Sequence, residues 1–241
     1  MKSKQKILMY HSIGGNGSGE TGAGLYCVPV DKFREQMKLV KQIQSHPEKI
    51  PVITFDDGLK DNFTNAYPIL KELGLKAYFF VMPDKIETNG YMNWEQVREL
   101  ATSGMVIGSH GMTHRILTSL NADDLTFEVE ESKKIIEERL NLPVEYFSVP
   151  KGYYNKRVLD VVKKAGYKKM FTSDLDKNNE FILGRIAVRA HRTEQYFKQV
   201  ITKGVPLKGR VVDNIKKHAK KLLGNSFYHN LREAILSKNE K

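Results

Sequence analysis

An α/β fold with parallel strands is the expectation from this sequence, and three observations carry it. Short apolar runs alternate with amphipathic stretches of helical period along most of the chain. Seven such runs fall within about 190 residues, a number that suits either a barrel or a doubly wound sheet. Ionisable residues gather just after the runs, and parallel folds carry their chemistry at the carboxyl ends of their strands.

The expected strands are 6–10 (KILMY), 51–55 (PVITF), 76–81 (KAYFFV), 105–109 (MVIGS), 145–149 (EYFSV), 168–172 (KKMFT) and 185–189 (RIAVR). A glycine-rich piece, 14–24 (GGNGSGETGAG), follows the first of them and reads as a flexible loop. It lacks the Lys-Ser/Thr of a phosphate-binding loop. Five helices separate the strands. In 31–44, Phe33, Met37, Val40 and Ile43 form a stripe and Asp31 is the expected N-cap. In 62–73, Phe63, Ala66, Ile69 and Leu70 line up, and Gly74 signals the end. Asn93 is placed to cap 93–102, whose Val97 and Leu100 face inward. Segment 123–140 repeats Leu125, Val129, Ser132, Ile136 and Leu140 on one face, and 155–165 carries Val158, Val161 and Val162 before Gly166.

Composition narrows the function classes. Of 241 residues, 40% are hydrophobic and 10% aromatic, a globular balance able to bury a sizeable core. The single cysteine, Cys27, excludes an internal disulfide. The apolar run before His11 is only ILMY, shorter than the roughly seven to fifteen residues of a secretory signal core. No stretch approaches the ~20 apolar residues of a membrane span. These features read as a cytoplasmic protein.

The net charge of +11 raises the question of nucleic acid. Between Lys203 and Lys241, however, ten lysines and arginines stand against three acids, so most of the excess lies in one tail. A nucleic-acid binder would spread its charge over the domain or interleave it with aromatics. The tail instead places Val212, Ile215, Ala219, Leu222 and Leu223 at helical spacing among lysines. Such a basic amphipathic helix lies on an anionic membrane or docks its stripe on its own domain. The expected organisation is a domain over 1–200 and a basic amphipathic helical extension over 201–241.

Strand ends hold the chemistry. Asp56 and Asp57 follow 51–55, His110 and His114 follow 105–109, His11 follows 6–10, and PKGYYN follows 145–149. A catalytic zinc takes three protein ligands of the imidazole and carboxylate kind and leaves a further position for water. Asp57, His110 and His114 supply such a set, and Co2+, Mn2+ or Ni2+ accept similar ligands. Asp56 beside them is placed to take a proton as water attacks. Tyr26, Trp94, Tyr153 and Tyr154 are aromatic candidates for stacking on sugar rings.

TFDDG (54–58) together with SHGMTH (109–114) resembles the first two motifs of the polysaccharide deacetylases, carbohydrate esterase family four, over about residues 5 to 190. The resemblance implies a distorted (β/α) barrel, usually of seven strands, and metal-dependent removal of acetyl from N-acetylated sugars. By the same resemblance Asp56 matches the catalytic base, and Asp57, His110 and His114 match the metal ligands. FSVPKGYY (147–154) is similar to the third motif and implies an oxyanion or substrate contact at Lys151, Gly152 and Tyr153. Ser148 stands where many members carry the arginine that steadies the base, and Lys151 where an aromatic is common. Arg185 is the expected substitute for that arginine.

The later motifs are missing: FTSDLD lacks a following tryptophan, and no Leu-x-His closes the barrel. The N-terminal LMYHSI resembles the poly-N-acetylglucosamine deacetylase branch, which implies His11 as general acid, with His191 in reserve. The expected activity is therefore deacetylation of a polysaccharide, lipid-linked or nucleotide-linked glycan, at the inner membrane surface if the tail binds lipid. A metal-containing glycan binder without turnover, or an amidohydrolase or esterase on a non-sugar substrate, is the alternative.

Overall fold

In a computed structural model, described for residues 5–15, 24–43, 50–175 and 178–206, the chain divides into two units, Met1–His191 and Arg192–Lys241. The first unit is built on β1 (Ile7–Tyr10), β4 (Val52–Phe55), β5 (Ala77–Val81), β6 (Val106–Ser109), β7 (Tyr146–Ser148), β8 (Lys169–Thr172), β9 (Ile182–Gly184) and β10 (Ile186–Ala187). All pair in parallel, in the order β10-β1-β4-β5-β6-β7-β8-β9. A small second sheet pairs β2 (Ser12–Ile13) with β3 (Cys27–Val28).

The two ends of the eight-strand order are consecutive in the chain. β9 pairs with β8 through Thr172 and Gly184, and β10 pairs with β1 through Leu8 and Ile186. Only Arg185 lies between them, so segment 182–187 acts as one bent strand that draws the ring together. The expectation of a distorted seven-type (β/α) barrel holds in this form. The last strand itself starts earlier than the expected 185–189. Gly184 hides that start, because a glycine inside an apolar run reads as a break. Here it permits close backbone approach: a Cβ at Gly184 would lie 2.1 Å from the Asp174 carbonyl oxygen.

Between the strands run α1 (Val30–Gln42), α2 (Tyr67–Leu73), α3 (Trp94–Thr102), α4 (Ala122–Thr126), α5 (Ser132–Leu140) and α6 (Lys156–Lys164). α1 starts one residue before Asp31, with Pro29 at its N-cap, so Asp31 sits in the first turn instead. Asn93 caps α3 in a reciprocal capping box with Gln96, and Gly74 ends α2 in the left-handed conformation. Two helices contain π-turns, Asn62–Ala66 ahead of α2 and Phe127–Glu131 between α4 and α5. Trp94 is buried with the Arg139 guanidinium 5.6 Å over its ring, so it packs between helices and does not offer a face to a sugar.

Alternation along the strands sorts side chains onto two faces. Outside, Phe55 stacks on Phe79 at 4.8 Å and meets Tyr10 and Phe33 under the helices. Inside, Ile7, Phe80 and Phe171 form a buried cluster flanked by Val52, Tyr78, Tyr146 and Leu183. Two residues further along their strands come Thr54, Ser148 and Arg185. The interior therefore changes from aromatic to polar toward the carboxyl ends.

The second unit contributes α7 (Glu194–Lys203), whose N-cap Thr193 accepts from the Tyr196 amide. The amphipathic helix expected over the tail falls on 207–241, outside the described residues. Among the described residues no helix is long and apolar enough to cross a membrane.

Candidate active site

Asp56 follows β4 at the position that continues the Val52, Thr54 alternation into the barrel. Arg185, 1% exposed, meets it there end to end, with Nη1 2.7 Å from Oδ1 and Nη2 2.7 Å from Oδ2. The guanidinium also donates to Thr54 Oγ1 at 3.1 Å and Ser148 Oγ at 2.8 Å. The Ser148 hydroxyl donates a hydrogen bond to Asp56 Oδ1 at 3.1 Å. Beneath, Phe80 and Phe171 hold the guanidinium carbon 5.5 and 5.9 Å from their ring centres. Burial pushes the Asp56 carboxyl up, but the Arg185 charge, followed by His110, outweighs it and holds the group below the usual 3.8.

Asp57, the next residue, sits at φ 74°, a strained value for a side chain with a Cβ, and Gly58 follows at φ 69°. Both its carboxylate oxygens are buried and neither has a hydrogen-bond partner. His110 Nε2 and His114 Nε2 lie 3.4 and 3.5 Å from Oδ1. Burial raises Asp57, and the surrounding imidazoles of His110, His114 and His11 more than reverse it. His110 in turn is drawn above 6.5, because the two carboxylates outweigh its burial. This cluster attracts positive charge.

The same three residues bring one ligand atom each to within 4.8 Å of one another. His110 Nδ1 faces the Ser148 carbonyl at 2.9 Å, an orientation that turns Nε2 and its lone pair toward Asp57. A buried carboxylate without donors, facing two imidazole nitrogens, fits a divalent metal ion.

His11 is 8% exposed, and its ring lies 4.9 Å from that of Tyr26. Burial lowers its pKa from 6.5, while Asp57 and Asp56 pull it back up and Arg185 and His110 press it down. The imidazole is thus within electrostatic reach of Asp56, Asp57, Arg185 and His110. Its buried Nδ1 has no hydrogen-bond partner. The π-turn Asn62–Ala66 fixes this strand end: Asn62 donates to the His11 carbonyl at 2.6 Å and Asn65 to the Ile13 carbonyl at 2.7 Å. His191, the reserve acid, is exposed.

The turn after β7 runs Pro150–Gly152, with Lys151 at φ 56° and Gly152 at φ 74°. The Gly152 amide already donates to the Val149 carbonyl at 3.0 Å and closes this turn. Tyr153 beside it is buried.

A family model described as polysaccharide deacetylase matches residues 43–170, which contain Asp56, Asp57, His110 and His114. The chain belongs to the polysaccharide deacetylase family. The Bacillus subtilis (strain 168) protein YxkH is 32% identical over 189 residues, covering 71% of this chain. The match spans 65% of YxkH, just under two thirds of that relative's length. Among solved structures, the Streptococcus pyogenes deacetylase PplD in complex with acetate is similar at a TM-score of 0.73 and 26% identity, covering 86% of this chain and 100% of that one. IcaB from Ammonifex degensii shares the fold at a TM-score of 0.70 and 20% identity, over 84% of this chain and 97% of that one.

Sequence reasoning placed the five ionisable groups at one end of the fold and missed what surrounds them. It took Ser148 only as a missing arginine, whereas its hydroxyl joins Arg185 to Asp56. It also missed the buried Glu128, for which the spacing of an acid within an otherwise apolar helix face is the one local signal.

Proposed function

We propose that this protein is a metal-dependent hydrolase that removes acetyl from an N-acetylated sugar of a polysaccharide, lipid-linked or nucleotide-linked glycan. The observation that carries the reading is the contrast within the aspartate pair: Asp57 is buried without hydrogen bonds beside two imidazoles, and Asp56 is saturated by Arg185 and Ser148. Acetate in the PplD structure supports acetyl as the group removed.

Asp57, His110 and His114 would hold the ion, zinc by the chemistry of the ligand set, with Co2+, Mn2+ or Ni2+ as substitutes. Once bound, it would polarise the acetyl carbonyl and lower the pKa of a water. Asp56 takes a proton from the attacking water. Arg185 keeps Asp56 ionised and fixes its plane, at some expense of basicity. The turn at Lys151 and Tyr153 is the proposed contact for the substrate carbonyl. His11 gives a proton to the leaving nitrogen as the C–N bond breaks. Burial favours neutral His11 at rest, and negative charge gathering on the substrate raises it toward the protonated form.

The tail over 203–241 belongs to the same proposal as a contact with anionic membrane, and sedimentation of the full chain with anionic vesicles at low salt would support it. The test of activity pairs metal content with amine release from N-acetylglucosamine oligomers and a nucleotide-linked N-acetylhexosamine, for wild type and Asp56→Asn. The expected result is metal in both proteins and a loss of about 10²–10⁴-fold in amine release for the variant. A wild type without metal would overturn the site, and release from acetyl esters alone would redirect the reading to an esterase.

A further inference from the structure

We propose that Glu128 is a positioning residue that holds the loop from His110 to His114 in the shape the metal site requires, an inference that rests on the metal reading above. Glu128 is fully buried on the π-turn Phe127–Glu131, outside the group of residues that face the reaction. Its Oε2 accepts from the Met112 amide at 2.8 Å and the Thr113 amide at 3.0 Å, and its Oε1 accepts from the Thr113 hydroxyl. A carboxylate taken wholly out of water is costly unless donors meet it, and three donors from one short loop do so here.

The loop has little other freedom. The His110 amide donates to the Val81 carbonyl at 2.9 Å and the Gly111 amide to Ser109 Oγ at 3.1 Å. Ser109 Oγ lies 2.7 Å from Ser132 Oγ, on the helix that continues from the Glu128 turn. Four successive amides, from His110 to Thr113, are therefore committed, two of them to Glu128. Gly111 has φ 76°, and a Cβ there would stand 3.1 Å from Glu128 Oε2 and 3.3 Å from Pro150, so the chain passes close against the carboxylate. His114 then takes φ 70°, a strained value that persists only where surroundings over-determine it. π-turns are rare and gather at functional sites, and this one carries the clamp.

Two substitutions separate shape from charge. Glu128→Asp keeps the charge but withdraws the carboxylate by about 1.5 Å, too far to serve both amides. Glu128→Gln loses the charge but keeps the reach: its oxygen accepts both amides and its NH₂ donates to a rotated Thr113 hydroxyl. The experiment measures the zinc affinity of folded, metal-free protein with a competing chelator. Alongside it come the thermal midpoint and amide hydrogen exchange at Met112 and Thr113 without zinc.

The expected result is about 10–100-fold weaker zinc binding for Glu128→Asp and, within about threefold, wild-type binding for Glu128→Gln. Exchange at 112 and 113 should accelerate in Glu128→Asp alone. Equal zinc affinity in Glu128→Asp and wild type would overturn the proposal. So would a loss confined to Glu128→Gln, which would make the charge the active feature, or a loss that follows the thermal midpoint with no local change in exchange. A wild type that binds no zinc would overturn the metal reading and, with it, the purpose assigned to Glu128. The zinc-free exchange tells that failure from a failure of the clamp.

Discussion

Around Asp56 both carboxylate oxygens are met by donors, two from one arginine and one from a serine, whereas around Asp57, one peptide bond away, neither oxygen accepts a hydrogen bond. The two are equally buried. What differs is the supply of donors: Asp56 points among residues that complete its own shell, and Asp57 points between two imidazole nitrogens, 3.4 and 3.5 Å away. A finished carboxylate suits a base that must stay put. An unfinished one suits a ligand waiting for a cation. The lesson is that equal burial of like groups implies unlike roles when their donors differ.

The sharpest way to break this contrast is Asp57→Asn. It should weaken zinc binding by more than about 10²-fold, beyond what outer-shell changes produce. The metal-free variant should nevertheless gain about 1–3 kcal/mol in urea unfolding at alkaline pH, where neutral imidazoles leave the wild-type charge unsatisfied. A destabilised variant would show that Asp57 is answered after all.

The other half of the contrast breaks with Arg185→Met, which leaves the Asp56 charge buried and uncompensated and should cost about 3–5 kcal/mol of stability. Adding Asp56→Asn to it should recover more than half of that loss, since the two groups form one unit. Additive losses in unfolding experiments would mean that the pair is not coupled.

The smallest effect concerns His11. Because burial lowers its folded pKa below 6.5, the unfolded chain takes up the proton first as pH falls. The stability it contributes is thus present above pH 6.5 and is lost as pH drops through the folded value. The stability of wild type minus that of His11→Gln should shrink below that point, by up to about 1.4 kcal/mol per pH unit. A pH-independent difference would place the imidazole in water, away from the buried half of the site.

Much of the frame was legible along the chain. Six of the seven expected strands fall within a residue or two of β1, β4, β5, β6, β7 and β8, because apolar runs between turn residues act over a few positions. Asn93 and Gly74 do what their local chemistry dictates. TFDDG and SHGMTH located the aspartates and histidines, since strand ends in a parallel fold share one rim.

The rest depended on contacts that local pattern does not encode. Arg185 reaches Asp56 across 129 residues, and only closure of the ring through the bent segment at Arg185 makes them neighbours. Trp94 looked available and is covered by Arg139. The two π-turns read as ordinary helix, because one extra residue in a turn barely disturbs a 3.6-residue stripe, yet they carry Asn62 and Glu128 to the loops they hold. Sequence by itself determined which segments are strands, which are helices and which side chains stand at the strand ends, because propensity and alternation act over a few residues. Tertiary structure decided how fully each carboxylate is met by donors, because that depends on groups brought together from distant strands.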